Sequence, residues 1–420
     1  MLDRPPHQRV VITGYGAITP LGHTADETWQ KLIMGQSGIA PLTLFATEGL
    51  PIRFGGEVKN FDPHHYYSPK EAKRMARCSQ FAAATAIQAV DHAGLSHPFN
   101  EELAERAGVM LGTSMGGFDK AEQGIRDYIT KGIRQVNPFS LPAALPNLST
   151  FHICIKLNTQ GYSNTTSTAC AAGNVALYEA AEVIRRGQCE VMVAGGAEAA
   201  IMDVTILGFK IMHALSTRNA DPARASRPFD AQRDGFVLAE GCAMFVLESL
   251  PHALARGATI YAEILGGALS SDTYHIAAPD PESRGAIRAM TWALKSAGVR
   301  PEQVDYINAH GASTPLGDAA ETRAIKTVFG ESAYQIPISA TKSMTGHAFG
   351  AAGAIEALAC VKSIETNTLH PTINYDQPDP DCDLDYVPNH ARDHNVKVVL
   401  SNSFGLGGQN ACLVLGKYDK

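Results

Sequence analysis

Short runs of β-branched and other apolar residues alternate along this chain with longer segments whose apolar positions recur every three or four residues. Val10-Val11-Ile12, Val109-Met110-Leu111, Val191-Met192-Val193, Val304 to Ile307 and Val396 to Leu400 predict buried strands. Phe81 to His92, Gly173 to Arg186, Arg284 to Ala297 and Ala351 to Thr366 predict helices between them. Strand and helix in alternation imply a layered α/β fold.

The pattern repeats. AATAIQAVDHAGL followed by RAGVMLGTSMG has a counterpart in AIRAMTWALKSAGV followed by VDYINAHGAST. In each, a helix ends at Gly, and a strand then leads into a turn of small residues. STACAAGNVALYEAA then matches SMTGHAFGAAGAIEALA, each a small-residue turn entering an Ala-rich helix, with Cys170 and His347 near comparable entrances. Two α/β halves facing one another would bring those entrances together. The division is expected near Gly257, before the strand-like run Ile260 to Leu265, giving halves 1–257 and 258–420.

Composition narrows the class. A 420-residue chain that is 45% hydrophobic and 18% charged can bury a large core. Its net charge of −7 argues against a protein that coats nucleic acid. The polar stretch Met1 to Gln8 does not resemble a secretion signal, and no run approaches the roughly 18 apolar residues of a membrane span, so a soluble cytoplasmic protein is expected. Eight cysteines (Cys78, Cys154, Cys170, Cys189, Cys242, Cys360, Cys382, Cys412) form no Cys-x-x-Cys pair and no metal-spaced cluster with histidine, so neither disulfides nor zinc are expected.

Two motifs invite other readings. Gly14-Tyr15-Gly16 begins a dinucleotide fingerprint, but Thr19 stands where its third glycine belongs. Gly112-Thr113-Ser114-Met115-Gly116 satisfies the elbow of a serine hydrolase, although Gly117, Phe118 and Asp119 delay the following helix. The stronger constellation centres on Cys170. Thr165 to Thr168 reads as a strand and Cys170-Ala171-Ala172-Gly173 as the opening of a helix, where N–H groups and the macrodipole would favour thiolate. His310, on a turn after a strand with Asp318 close behind, and His347 in TKSMTGH complete a set of one nucleophile and two polarising groups.

STACAAG, NAHGASTPLGD, TKSMTGHAFGAAGAIE and SNSFGLGGQN resemble the signature blocks of the β-ketoacyl-acyl carrier protein synthases, closest to the type II group, in the thiolase superfamily. VAGGAEA, ALSTRN, ASRPFDAQRDGFVLAEG and PTINYDQPDPDCDLDYVP extend the likeness from about Val10 to the C-terminus. The resemblance implies a thiolase-like αβαβα fold of two pseudo-symmetric halves. It implies decarboxylative condensation of an acyl-enzyme with malonyl-acyl carrier protein in fatty-acid elongation, or the same chemistry in a specialised polyketide or polyene pathway. Cys170 would accept the acyl group and His310 with His347 would assist decarboxylation. Lys342 and Glu356 would form a supporting ion pair, and Phe404 a gate whose N–H, with that of Cys170, holds the oxyanion. Met115, Phe209, Thr314 and Gly405 would line the substrate site.

No metal, nucleotide or flavin is implied, the acyl groups being carried on phosphopantetheine, and a homodimer is expected. Ala312, where such proteins commonly have Thr, and Leu406 and Gln409, in place of a frequent Phe and Thr, depart from the pattern and bear on substrate choice. Lys70, Lys73, Arg74 and Arg77, spaced i, i+3, i+4 and i+7, are expected on one helix face, extended by Arg134, as a dock for an acidic carrier protein.

Overall fold

The computed structural model describes residues 4–419, so the first residues of the Met1 to Gln8 stretch lie outside it. Ten strands form one sheet: β1 (Val10–Ile18), β2 (Ala107–Gly112), β3 (Ser163–Thr166), β4 (Val191–Ala199), β5 (Glu240–Ser249), β6 (Ala262–Ser271), β7 (Tyr306–Asn308), β8 (Ile338–Ser339), β9 (Val398–Phe404) and β10 (Gln409–Gly416). Their spatial order is β8-β7-β9-β10-β6-β1-β5-β4-β2-β3. The first five strands and the second five therefore follow the same order outward from the centre, which is the repeat anticipated from the sequence. The halves join along a short antiparallel seam, Val11 opposite Glu263 and Ile12 opposite Ala262. Arg256, Gly257 and Ala258 lie in the connection between the helix Leu250–Ala255 and β6.

Six helices give the layers: α1 (Arg77–His92), α2 (Phe118–Lys131), α3 (Ala172–Arg185), α4 (Arg284–Ala297), α5 (Pro315–Phe329) and α6 (Ala352–Thr366). On α4 the buried residues Ala286, Ala289, Met290, Ala293, Leu294 and Ala297 recur at helical spacing, so only one stripe meets the sheet. By contrast α6 is buried from Ala352 to Ile364, as a helix covered on every side must be. It packs with α3 in a central layer between the half-sheets.

Strand alternation distributes the core. Met192 and Ala194 of β4, with Leu413 and Leu415 of β10, face this centre. Val191 and Val193 turn outward beneath α1, and Cys412 and Val414 beneath α4. The result is the expected αβαβα arrangement. The central layer matters for the site, because α3 and α6 both begin at the same end of the sheet. Among the described residues no helix is long and apolar enough to cross a membrane.

Candidate active site

β3 ends at Thr166, and Ala169 then adopts a left-handed backbone (φ 49°), turning the chain so that Cys170 projects into a cavity of about 460 Å³. The helix anticipated at Cys170 starts two residues later, leaving Cys170 one position ahead of the N-cap Ala171. Burial decides the state of the thiol. Packed in an apolar cluster with Phe236, Ala312 and Phe349, Cys170 is pushed up to about 11 by desolvation. The N–H groups of Leu406 and Cys170 and the charge of Lys342 pull it the other way. This corrects the expectation of a thiolate from the helix terminus alone, since that field fades within the first turn.

The histidines are held by their backbones. His310 stands two residues beyond β7, and its N–H and that of Gly311 each donate to Glu321 of α5 at 2.8 Å. Asp318, close behind in sequence, accepts instead from Ser313 N–H (3.1 Å) and Phe229 N–H (2.8 Å) and so shapes the loop. His347 lies between the short helix Lys342–Thr345 and α6, its N–H donating to Val237 O at 2.7 Å. The two rings stand 5.4 Å apart at 83°, and His347 Nε2 is 3.0 Å from Cys170 Sγ. Thiol and both rings thus converge from loops distant in sequence.

Burial, reinforced by the charge of Lys342, lowers both histidines well below the ordinary value, so each ring is neutral at physiological pH. His310 Nδ1 accepts from Phe404 N–H at 3.3 Å, which places the His310 proton on Nε2. His347 Nδ1 is buried with no partner. A stranded lone pair costs less than a stranded N–H, so His347 too carries its proton on Nε2. Lys342 Nζ donates to His310 O at 2.6 Å and to Glu356, beneath the site and nearly inaccessible to solvent. Phe404 N–H, assigned above to the oxyanion, is committed to His310 in the free enzyme, while Leu406 N–H reaches the sulfur.

Met115, Phe209, Thr314, Phe404 and Gly405 all line the cavity, together with Ala312 and Leu406, whereas Gln409 points to solvent. Gly405 is required: a Cβ there would meet Gln409 O at 2.7 Å and Thr168 O at 2.8 Å, so only glycine lets this turn close over the cysteine turn. Thr314 caps α5, its hydroxyl accepting from Gly317 N–H at 3.2 Å. Phe236 and Phe349, not singled out from the sequence, flank His347 with centroids 5.4 and 5.2 Å from its ring. Nor were Glu321 and Glu198. Glu198, the one charged residue of the small and apolar run Val191–Ala199, carried a signal that would have flagged it, whereas Glu321 shares its helix with Asp318, Arg323 and Lys326 and carried none.

Met115 supplies the first prediction. Met115→Phe is expected to retain short acyl groups and reject long ones, since overpacking costs roughly 1 to 3 kcal/mol and each excluded methylene forfeits about 0.8 kcal/mol. Acyl-enzyme formation across a ladder of chain lengths measures it. A uniform loss, or an unchanged profile, would remove Met115 from the pocket wall.

The rival motifs dissolve in the structure. Gly14-Tyr15-Gly16 lies within the unbroken strand β1, where no phosphate-cradling turn forms. Ser114 lines the cavity, but its turn is held by Glu198, and no described hydrogen bond joins its hydroxyl to a histidine. The single basic helix face is also corrected. Ser68 and Glu71 form a capping box on a short helix, Pro69–Ala72, and the chain breaks at the extended residue Ala76 before α1 starts at Arg77. Arg77 is spent on Glu240, at 2.7 and 2.8 Å. Lys70, Lys73, Arg74 and Arg134 are exposed, and none of these four makes an ion pair among the described residues.

A buried cysteine beside two neutral histidines, on the wall of an apolar cavity in a thiolase-like fold, defines a condensing acyltransferase. The N-terminal domain of β-ketoacyl synthases matches residues 7–253, and their C-terminal domain matches residues 261–376. The chain belongs to the β-ketoacyl synthase family. It is 49% identical over 411 residues to 3-oxoacyl-[acyl-carrier-protein] synthase 2 of Synechocystis sp., covering 98% of both chains. Among solved structures, the ishigamide ketosynthase/chain length factor is similar with a TM-score of 0.91 at 37% identity, over 98% of this chain and 99% of that one. A type II polyketide acyl-carrier protein in complex with its ketosynthase is similar with a TM-score of 0.89 at 35% identity, over 98% and 99%.

Proposed function

We propose that this enzyme condenses an acyl group held on Cys170 with malonyl-acyl carrier protein, giving a 3-oxoacyl-acyl carrier protein and CO2 in fatty-acid elongation. The observation that carries this reading is the approach of His347 Nε2 to within 3.0 Å of Cys170 Sγ, with the His310 ring beside it. Cys170 Sγ attacks the acyl thioester, and its proton ends on the departing pantetheine sulfur. Malonyl thioester then enters. The Nε2–H groups of His310 and His347 donate to its carbonyl oxygen while the bond to the carboxylate breaks. CO2 leaves and the electron pair remains as an enolate. The enolate carbon attacks the acyl carbonyl and expels the Cys170 thiolate, which takes up a proton. The N–H groups of Cys170 and of the Phe404–Leu406 turn hold the intervening oxyanion. These steps call for no metal, nucleotide or flavin.

His310→Ala and His347→Ala are each expected to accept an acyl group on Cys170 but to lose malonyl decarboxylation by about 10²- to 10³-fold, the usual cost of one preorganised donor. Labelled CO2 release measures this. Because both rings are already neutral, wild-type decarboxylation is expected to show no inflection near pH 6.5, the ordinary histidine value. Intact-mass measurement after exposure to acyl-carrier proteins and then malonyl-carrier protein tests the whole reading. A specialised polyketide or polyene substrate is the second reading, favoured by the ketosynthase neighbours, and polyketide-length acyl groups belong in the same panel.

Lys70, Lys73, Arg74 and Arg134 form the docking surface for the acidic carrier, with Arg74 resting over the Phe139 ring at 4.3 Å. Reversing the charges of Lys73 and Arg74 is expected to raise KM for a carrier-linked substrate about tenfold and to spare a small thioester. Equal loss for both substrates would point to folding damage. The protein acts in the cytoplasm as a homodimer. Support for the dimer comes from exposed apolar side chains on neighbouring helices, Ile125 and Ile129 of α2, Leu141 and Ile155, near the free edge of β3.

A further inference from the structure

Glu198, at the end of β4, is wholly inaccessible to solvent, and the chemistry above makes no use of it. Its Oε2 accepts from Ser114 N–H at 2.6 Å and from Gly350 N–H at 3.2 Å. Its Oε1 accepts from Met115 N–H at 3.3 Å and from the Thr113 hydroxyl at 3.4 Å. One carboxylate therefore pins the turn that carries Met115 to the segment that follows His347. The two segments touch backbone to backbone: a Cβ on Gly350 would lie 2.4 Å from Ser114 N. Among the described residues no lysine or arginine pairs with Glu198. Desolvating an acid with only N–H and hydroxyl partners is costly, so this site trades stability for a fixed geometry.

We propose that Glu198 is a positioning residue for acyl-chain selection. By holding Ser114 and Met115 on one side and Gly350 on the other, it sets the gap between the Met115 wall and the His347–Phe349 wall, and so which chains seat with their carbonyl against Cys170. The inference rests on the cavity being the acyl site. Glu198 also opposes formation of the Cys170 thiolate, on which His347 and Lys342 act as well.

Three variants test this by intact-mass loading of Cys170 across a ladder of acyl-carrier thioesters, with iodoacetamide alkylation at pH 8 as a readout independent of condensation. Glu198→Gln keeps the shape but presents an amide N–H to backbone N–H groups. Its ratio of long- to short-chain loading is expected to shift about tenfold, with alkylation of Cys170 faster. Glu198→Asp, which keeps the charge, is expected to restore alkylation and part of the ladder. Gly350→Ala, which forces the same contact apart from the other side, is expected to distort the ladder in the same direction. A folded Glu198→Gln protein with an unchanged ladder, or with a uniform loss along it, overturns the proposal. Failure of the wild type to load any acyl group would instead sink the acyl-site reading on which it stands.

Discussion

Cys170→Ala is expected to abolish both acyl loading and condensation, a loss of about 10⁴-fold or more, while Ser114→Ala retains both. The asymmetry follows from geometry. Cys170 Sγ has His347 Nε2 at 3.0 Å and its own N–H and that of Leu406 beside it, whereas Ser114 has a turn held by a carboxylate. The converse result would make this a serine enzyme. In the wild type, alkylation is expected at Cys154, which alone of the eight cysteines is not buried, and at Cys170, which lines the cavity. Burial pushes the Cys170 thiol up to about 11, so its alkylation rate is expected to keep climbing beyond pH 9. A plateau by pH 8 would show that the helix terminus outweighs desolvation after all.

The second large effect is expected at Lys342. Its ammonium donates to Glu356 and to His310 O, with 2% and 1% of the two paired side chains exposed. Removing one partner of such a pair typically costs about 3 to 5 kcal/mol, because the other charge stays buried and uncompensated. Lys342→Ala is therefore expected to lower the unfolding free energy by about that much at pH 8 and to lose decarboxylation as the His310 loop relaxes.

The pH dependence has a definite sign. Burial already raises Glu356 to about 7 with Lys342 present, and removing the lysine raises it further. A carboxyl raised in the folded state favours folding at low pH. Relative to the wild type, the destabilisation of Lys342→Ala should therefore start to grow near pH 7, where Glu356 of the wild type ionises while that of the variant stays protonated, and should keep growing above it. The double variant Lys342→Met/Glu356→Leu is expected to recover stability without recovering decarboxylation. Denaturant melts of both variants at pH 5 and 8 measure the effect. A pH-independent loss would mean that Glu356 is not left charged.

The helices were legible because their buried stripes or faces recur at helical spacing, as on α4, and because Gly94 and Gly298 follow the ends of α1 and α4, the matching helices of the repeat. Strands buried on both faces, such as Val191–Ala199, announced themselves as apolar runs. β5 and β10 were not anticipated. Their apolar centres, 242–247 and 411–415, are as continuous as the other runs, but Glu240, Glu248, Gln409 and Asn410 border them with polar groups, and Glu240 finds its partner Arg77 only across the folded chain. The basic residues 70 to 77 show the opposite error. Their spacing fits one helix, but the capping box at Ser68 and the extended residue Ala76 make two.

Cys170, His310 and His347 were visible in short motifs, because turns of small residues around a reactive group can be read without knowing where the chain goes, whereas Lys342, Glu356 and Phe404 came only from the resemblance to the β-ketoacyl synthases. Their ionisation states were not. Whether a thiol is a thiolate, or a histidine charged, depends on how much water and which charges surround it, and these are set by segments far away in sequence. Residue type and local spacing thus determined the repeated strand order of the fold and which groups are proposed to react. Tertiary packing alone decided that Cys170 is protonated, that both histidines are neutral donors, and that Glu198 spans the gap between two walls of the cavity, since desolvation and convergence belong to the folded surroundings.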